Sequence, residues 1–339
     1  MMQEPLAAGP PPLLEVQGLG KRFISGGLLR PQLVRAVEDV SFRIARGEVV
    51  ALVGESGSGK STIARLIARL VPASEGTVRL EGRDVLQDEP DGASRAYRRR
   101  VQMIFQDPFA SLNPAHSVAH HLGRPLRLHG RVGGPQEQRD RTHALLASVG
   151  LAPGEEFAAK LPHQLSGGQR QRVAIARALA VEPELILADE PVSMLDVSIR
   201  IGVLNLMSEL RQREGVSFLY ITHDVASARY IADRVLVLYA GHLVEEGRTE
   251  DVIHRPKHPY TQLLLSAVPD PRAELGLADT SDVGEPPRVV DPGEGCRFRS
   301  RCPYAIDRCT TETPKLRELG SGRRVACHVA EPDSDVLSG

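Results

Sequence analysis

The sequence contains no tryptophan, and aromatic residues make up only 4% of its 339 residues. Few side chains are therefore available to stack on nucleic-acid bases. The formal net charge is −1 at pH 7, so no global field favours nucleic acid or an anionic membrane. The sequence also lacks an apolar run of about 18 residues that could span a bilayer, and its first residues lack the basic-then-apolar order of a secretory signal. We expect a soluble, cytoplasmic chain that binds no nucleic acid and relies on partners for any membrane-spanning part.

Cysteine is sparse and confined to one end of the chain. The four cysteines all follow residue 295: Cys296, Cys302, Cys309 and Cys327. A reducing cytoplasm disfavours disulfides, so this cluster predicts a metal site before it predicts bridges. The spacing C-x5-C-x6-C-x17-C lacks the C-x2-C pairs of zinc ribbons, and four thiolates suit either Zn²⁺ or a [4Fe–4S] cluster. Spacing alone leaves zinc, iron–sulfur and free thiols open.

Apolar patterns along the chain predict an α/β sheet. The segment from about Leu14 to Ile44 alternates short apolar strands with turn residues, which is typical of an antiparallel start. Glu48–Val53 is a continuous apolar run, as in a buried parallel strand, and the pattern over Lys60–Leu70 is helical. Further strand patterns stand at Leu185–Ala188, Ser217–Ile221 and Val235–Leu238. Parallel strands interleaved with helices imply an α/β fold.

Composition also divides the chain into parts. Residues 1–13 are rich in proline and are predicted to be a disordered lead. Residues 14–255 form the main α/β domain, and the mainly helical stretch of about 107–180 is expected to be an insertion between two halves of its sheet. Residues 256–339 are rich in proline, glycine and charge, and we expect them to be a C-terminal extension that holds the four-cysteine metal site.

The segment Gly54–Ser61 (GESGSGKS) fits G-x-x-x-x-G-K-[ST] between a predicted strand and a predicted helix. Its glycines let backbone N–H groups turn inward around a β-phosphate, and the helix N-terminus adds its positive dipole end. Lys60 would supply a charge to the β- and γ-phosphates, and the Ser61 hydroxyl suits Mg²⁺. The predicted ATP-binding residues here are Gly54, Ser56, Gly57, Ser58, Gly59, Lys60, Ser61 and Thr62.

Two carboxylates, Asp189 and Glu190, stand at the end of a predicted buried strand. Asp189 can hold Mg²⁺ through its water shell, while Glu190 can polarise a water for attack on the γ-phosphate. Such a base is typically worth about 10²–10⁴-fold in rate. The alternative is that the two acids only cap the next helix, which the phosphate loop makes the weaker interpretation.

The segment Leu165–Gln169 (LSGGQ) stands just before a helical run, Arg170–Ala180. Its Ser and Gly residues open a helix N-terminus with free N–H groups, which makes a second anion site. One ATP does not need two such cradles from one chain. We therefore expect Ser166, Gly168 and Gln169 to cap the γ-phosphate of an ATP that is held by another subunit.

These ordered motifs, over about Leu14 to Arg255, resemble the ATP-binding cassette (ABC) family, whose signature is LSGGQ. The resemblance implies a P-loop NTPase (RecA-like) core with an antiparallel β subdomain, a helical insertion and, here, a Cys-rich C-terminal extension. Phe23 is similar to the adenine-stacking aromatic, with a core phenylalanine as the alternative. Asp196 matches the D-loop, although the family usually has Ala where Met194 stands.

The resemblance also implies a complete set of hydrolytic residues. Gln106 resembles the Q-loop glutamine, which senses Mg²⁺ and the permease, and His223 resembles the switch histidine that contacts the γ-phosphate. Together with Glu190 they are the predicted catalytic residues. ATP and Mg²⁺ are the implied cofactors, with Ser61 and Gln106 as the Mg²⁺ ligands.

Two further segments narrow the family. Gln106–Pro114 (QDPFASLNP) and the run from Pro256 (PKHPYTQLLLSAVP) resemble the oligopeptide/dipeptide (peptide/nickel) importer subgroup. Several members of that subgroup hold a [4Fe–4S] cluster near a Cys-Pro like Cys302-Pro303, so the resemblance favours iron–sulfur, with zinc as the alternative. The implied function is that of an ATP-hydrolysing motor for uptake of di- and oligopeptides. The implied partners at the cytoplasmic face of the membrane are a second ABC ATPase (commonly a paralogue), two transmembrane permeases and an extracytoplasmic substrate-binding protein.

Other functions fit the sequence less well. Nickel or oligosaccharide import would use the same motor, because binding proteins and permeases choose the substrate. A soluble ABC ATPase of repair or translation normally carries a second cassette, a long coiled coil or a zinc-finger insertion. An iron–sulfur redox enzyme would need a substrate pocket or a second cofactor motif. We find none of these in the sequence.

Overall fold

The computed structural model describes residues 11–25, 32–266, 290, 292–320 and 322–331. Most of the expected disordered lead, residues 1–10, lies outside the described residues. Leu13, its last residue, is instead buried, and its carbonyl accepts the Glu81 N–H. Within the described residues no helix is long and apolar enough to cross a membrane.

The strands and helices alternate through most of the chain. The strands are β1 Leu14–Ser25, β2 Gln32–Ile44, β3 Val49–Val53, β4 Glu75–Leu80, β5 Arg83–Asp84, β6 Val101–Ile104, β7 Leu185–Asp189, β8 Ser217–Thr222, β9 Arg234–Tyr239, β10 His242–Arg248, β11 Arg317–Glu318 and β12 Arg324–Val325. The helices are α1 Lys60–Ile67, α2 Val85–Asp88, α3 Arg95–Arg100, α4 Pro108–Ser111, α5 Val118–Leu128, α6 Pro135–Ser148, α7 Gly154–Ala159, α8 Gly167–Leu179, α9 Val197–Glu214, α10 Val225–Ile231, α11 Thr249–His254, α12 Pro259–Ser266 and α13 Arg308–Thr311, with 3₁₀ turns at Pro162–Gln164 and Arg299–Arg301.

Eight strands form the main sheet, in the order β11-β12-β10-β9-β3-β8-β7-β6. Strand β3 lies inside it and pairs in parallel with both β8 and β9. All residues of β3, β7 and β8 are buried, because apolar cores cover both faces of these strands. The three predicted strands at Leu185, Ser217 and Val235 are confirmed. The loops that follow β3, β7 and β8 meet at one edge of the sheet, where ligands bind in open α/β folds.

A second, antiparallel sheet has the order β2-β1-β4-β5. Its residues pack with α1 and one face of the main sheet in a single apolar core. Five helices, α4 to α8, lie between β6 and β7 and pack on the opposite core. The predicted α/β fold with an antiparallel sheet and a helical insertion is confirmed.

The C-terminal extension is built into this body. Strand β12 pairs antiparallel with β10, with Val325 opposite Glu245, and so lengthens the main sheet. Phe298 is buried in the core that also holds the helical insertion. The sequence predicted a metal site in this extension, but it did not predict these contacts with the main domain. Here sheet pairing and apolar burial attach it.

Candidate functional site: the edge of the sheet beyond β3, β7 and β8

The phosphate loop connects β3 to α1, and it has a glycine at each end that no other residue could replace without strain. Gly54 has φ +153°, and a Cβ there would lie 2.2 Å from the Leu238 carbonyl oxygen. Gly59 has φ +105°, and its Cβ would lie 2.4 Å from the Ala36 carbonyl oxygen. The loop is thus pressed against β2 and β9, and the Gly241 N–H of the turn after β9 donates to the Ser58 carbonyl at 2.8 Å, with Ser56 and Gly57 exposed at the tip of the loop. It forms a cradle that backbone atoms line.

Lys60, the first residue of α1, turns back across this loop. Its Nζ donates to the carbonyls of Gly54 and Glu55, at 2.8 Å each. The pKa of Lys60 is lowered because burial removes water from the ammonium group, although Glu190, Asp189 and Glu55 oppose that shift. A buried cation at the mouth of a cradle of N–H groups is suited to an anion such as a phosphate.

Two hydroxyl groups complete the loop. Ser58 is buried, and its Oγ has no hydrogen-bond partner within the described protein, so it is available to a ligand. Ser61 Oγ donates to Asp189 Oδ1 at 2.8 Å. Burial raises the pKa of Asp189, while the Ser61 hydrogen bond opposes that shift. The residues present therefore fit a nucleotide phosphate beside a hard cation, since hydroxyl and carboxylate oxygens are the ligands that Mg²⁺ prefers.

The three predicted catalytic residues meet at one carboxylate. Glu190 has φ +46°, and its N–H donates to the Ile221 carbonyl at 2.8 Å, which turns the side chain out of the sheet edge. Gln106 Nε2 donates to Glu190 Oε2 at 2.9 Å, and His223 Nδ1 lies 3.0 Å from Glu190 Oε1. Both oxygens of the carboxylate are therefore held. Three separate loops contribute these residues, and each residue was predicted from its own sequence motif.

The signature segment lies apart from this centre. Ser166 is the N-cap of α8: its Oγ accepts the Gln169 N–H at 3.3 Å, and Gln169 Oε1 accepts the Ser166 N–H at 3.0 Å. A Cβ at Gly168 would lie 2.5 Å from Ile199 Cγ2, so this helix start needs glycine to pack on α9. No hydrogen bond joins the segment to the phosphate loop in the part of the chain that the structure describes.

Three further predicted residues are placed without a direct contact to the centre. Phe23, on β1, is 40% exposed, with the Lys21 ammonium 5.0 Å from its ring centre, so it is accessible for stacking and is not a core residue. Thr62 is half-buried in the first turn of α1. Asp196 is exposed at the start of α9 and makes no side-chain cap there.

Sequence reasoning missed three residues at the phosphate loop. The Glu55 N–H donates to Tyr260 Oη at 2.8 Å, and Arg301 makes a two-point ion pair with the Glu55 carboxylate, at 3.0 Å for each contact. Glu55 occupies a variable position of the motif, and its partners follow it by 205 and 246 residues. No local signal in the sequence could have found these contacts.

The four cysteines lie in one region of the C-terminal extension. The Cys296 N–H donates to the Cys309 carbonyl at 2.8 Å. Burial raises the pKa of Cys296 to about 11 and also raises the pKa of Cys302 and Cys327, which favours neutral thiols. Among the described residues no group of three or more His, Cys, Asp or Glu side chains could hold a metal ion. The described residues therefore do not support the [4Fe–4S] cluster or the zinc ion that the sequence suggested.

Comparison with known proteins assigns the family. Residues 37–193 match the ABC transporter family, and residues 244–309 match the family described as oligopeptide/dipeptide transporter, C-terminal region. A putative peptide import ATP-binding protein of Brucella ovis is 46% identical over 93% of this chain and 97% of its own length. The oligopeptide transport ATP-binding protein OppF of Escherichia coli is 46% identical over 89% of this chain and 90% of its own length.

Solved structures agree with this assignment. The ATP-binding cassette MJ0796, in a dimeric post-hydrolysis state with ADP and phosphate, is 31% identical, with a TM-score of 0.60 over 70% of this chain and 98% of that one. CbiO1 of Clostridium perfringens, part of the ABC transporter complex cbiONQ, is 27% identical, with a TM-score of 0.61 over 72% of this chain and 92% of that one. With the phosphate loop, the carboxylate centre and the signature helix in place, this chain belongs to the ATP-hydrolysing subunits of the ABC transporter family, among those that carry the oligopeptide/dipeptide transporter C-terminal region.

Proposed function

We propose that this chain is the ATP-hydrolysing motor of a membrane importer that takes up di- and oligopeptides. The observation that carries the motor role is the Glu190 carboxylate, held by Gln106 and His223 beside the phosphate loop. The names of relatives that are 46% identical over almost the whole chain support peptides as the cargo. Nickel and oligosaccharides are the alternative cargoes.

ATP would bind in the loop from Gly54 to Thr62. The N–H groups of the loop and of the α1 N-terminus surround the β-phosphate, and Lys60 neutralises the β- and γ-phosphates. Phe23 is placed to stack on the adenine. Mg²⁺, held by Ser61 and Gln106 and through water by Asp189, would neutralise charge on the phosphate oxygens.

Hydrolysis needs a base that is oriented before the reaction. Gln106 and His223 hold the two oxygens of Glu190, so the carboxylate has few rotamers to lose when it accepts a proton from the attacking water. We therefore assign catalysis to Glu190, with Gln106 and His223 as the residues that orient it and respond to the γ-phosphate.

We infer that the site is completed by a second cassette. Among the described residues no hydrogen bond joins the α8 N-terminus to the phosphate loop, and we infer that Ser166, Gly168 and Gln169 cap the γ-phosphate of a partner. Met194 and Val197, on either side of Asp196, are 53% and 71% exposed, and a cassette interface would cover them. The dimeric state of the related cassette MJ0796 supports this arrangement.

The remaining parts of the assembly are also proposals. Two transmembrane permeases and an extracytoplasmic binding protein would supply the pathway and the specificity, with this chain peripheral at the cytoplasmic face. We propose residues 14–255 as the nucleotide-binding domain and 256–339 as the extension. The [4Fe–4S] cluster stays a prediction that rests on the resemblance, and assays of iron and acid-labile sulfide test it against zinc.

The proposed function is tested by purifying the complex that this chain forms in its own cell and reconstituting it in proteoliposomes. We expect two permeases and a second cassette to co-purify, and labelled oligopeptides to accumulate only with ATP. Accumulation of nickel or an oligosaccharide in place of peptides would correct the cargo. Purification without any permease would contradict the importer.

A further inference from the structure

The C-terminal extension reaches the phosphate loop through one buried ion pair. Arg301 Nη1 and Nη2 each lie 3.0 Å from one oxygen of Glu55, in a two-point geometry. The Arg301 side chain is only 9% exposed, and that of Glu55 is 25% exposed. The pair is therefore part-buried, and water and salt screen its attraction less than that of an exposed pair.

The same loop residue is held through its backbone. Tyr260, on α12, accepts the Glu55 N–H, and its ring packs 4.5 Å from that of Tyr239 and 5.6 Å from that of Phe298. Arg301 lies 5.8 Å above the Tyr239 ring and within 3.4 Å of the Tyr239 hydroxyl. Aromatic packing thus fixes both groups that grip Glu55.

The segment around Cys296 and Cys302 sets the position of Arg301. It closes the 3₁₀ turn Arg299–Arg301, in which the Arg299 N–H donates to the Cys296 carbonyl at 3.2 Å and the Cys302 N–H donates to the Arg299 carbonyl at 3.4 Å. Cys296 and Cys302 themselves pack against the apolar core. The position of the guanidinium therefore depends on how this part of the extension is docked.

The ion pair between Arg301 and Glu55 affects the charge of the loop that binds the nucleotide. Glu55 lies within the phosphate loop, close enough to Lys60 to act on its charge. Without Arg301, an uncompensated carboxylate would stand within the loop that binds the triphosphate, and repulsion between like charges would oppose binding. Arg301 cancels this charge while Tyr260 holds the backbone of the loop.

We propose that Arg301 and Tyr260 are positioning residues for ATP: they neutralise and fix Glu55, so that nucleotide affinity depends on the docked C-terminal extension. This role rests on nucleotide binding at the phosphate loop. It goes beyond the proposed motor function, because it links the segment around Cys296 and Cys302 to the affinity of the loop for ATP.

The test is a titration of the purified full chain with a fluorescent ATP analogue in Mg²⁺. We expect Arg301→Met to raise Kd about tenfold, and the double variant Glu55→Gln/Arg301→Met to regain most of the lost affinity. A purely structural loss would not be rescued by removal of the opposite charge. Tyr260→Phe should weaken binding by a smaller factor, since it leaves one N–H unpaired.

Arg308→Met is the control, because Arg308 also lies in the extension and pairs with Glu312, and neither residue is among the partners of Glu55. An unchanged Kd in Arg301→Met, failure of Glu55→Gln to rescue it, or an equal loss in Arg308→Met would each overturn the proposal. If Arg301→Met does not fold, Arg301→Lys serves in its place, with a smaller rise in Kd that Glu55→Gln also relieves. If the wild-type chain does not bind the analogue, the proposed function itself fails.

Discussion

The chain presents two helix N-termini to phosphate, and they are built differently. The N-cap of helix α1 is Gly59, which has no side chain to cap the helix. The N–H groups of the first turn of α1 are therefore available to a ligand. The N-cap of helix α8 is Ser166, which forms a capping box with Gln169. This capping box occupies two backbone N–H donors, those of Ser166 and Gln169. The first end can thus bind an anion alone, while the second has fewer free donors to offer.

The two ends also differ in what holds them in place. The loop before α1 is pressed on β2 and β9, and the C-terminal extension grips it at Glu55. The start of α8 is held by its own cap and by packing of Gly168 on α9. The difference teaches that one end is a primary site that depends on long-range contacts, whereas the other is an auxiliary site that is stable by itself. An auxiliary site of this kind is suited to a partner's ATP.

The largest expected effect separates chemistry from binding at the α1 end. Glu190→Gln should lower ATP turnover by about 10²–10⁴-fold, because the amide cannot accept a proton from water. ATP binding should persist, since Lys60 and the loop are unchanged. Phosphate release and nucleotide titration measure the two properties. Glu209→Gln, on the exposed face of α9, is the control, and undiminished turnover in Glu190→Gln would refute the assignment of the base.

The next largest effect concerns the contacts that hold the α1 end in place. His258 lies fully buried beside Tyr260, and burial lowers its pKa to about 3, below that of an exposed imidazole. The unfolded chain therefore takes up the proton first, and stability that is present above pH 6.5 is lost as the pH falls toward 3.

Between pH 6.5 and 4.5 this should cost about 2 kcal/mol of unfolding free energy, measured by urea titration. His258→Asn keeps an acceptor for the Tyr260 N–H and should remove most of that slope. Equal slopes in the two proteins would show that the support of the α1 end is not sensitive to this histidine.

The smallest effect concerns the α8 end. Ser166→Ala and Ser117→Ala each remove a serine N-cap, of α8 and α5 respectively, and each should cost about 1 kcal/mol of stability. Only Ser166→Ala should also lower turnover, by about tenfold, since a hydrogen bond to a charged phosphate is lost. Parallel thermal unfolding and ATPase assays compare them. Equal turnover in the two variants would contradict a role of Ser166 at phosphate.

The α1 end shows what sequence could predict. Buried strands and the phosphate loop follow local rules, so β3, β7 and β8 were predicted within a residue or two. The helix after the loop was predicted to reach Leu70, but α1 ends at Ile67, because Arg69 adopts a left-handed conformation (φ +56°) and turns the chain out of the helix.

The extension shows what sequence could not predict. Strand β12 has two residues in a charged segment, and its pairing with β10 depends on a partner nearly 80 residues earlier. The Arg301–Glu55 contact likewise spans 246 residues. The cysteine spacing predicted a metal site, yet no metal-binding group of three or more ligands is found among the described residues. Such contacts are set by the packing of distant parts.

The central claim is that the α1 site is finished by a partner's α8 end, and association driven by ATP tests it most directly. Sedimentation velocity of the Glu190→Gln chain would be run with Mg²⁺-ATP, alone and mixed with the cassette that co-purifies with it. We predict that one of the two samples forms a dimer of cassettes with ATP, and that Ser166→Arg in the same background abolishes it. ATP binding without association in either sample would contradict the account.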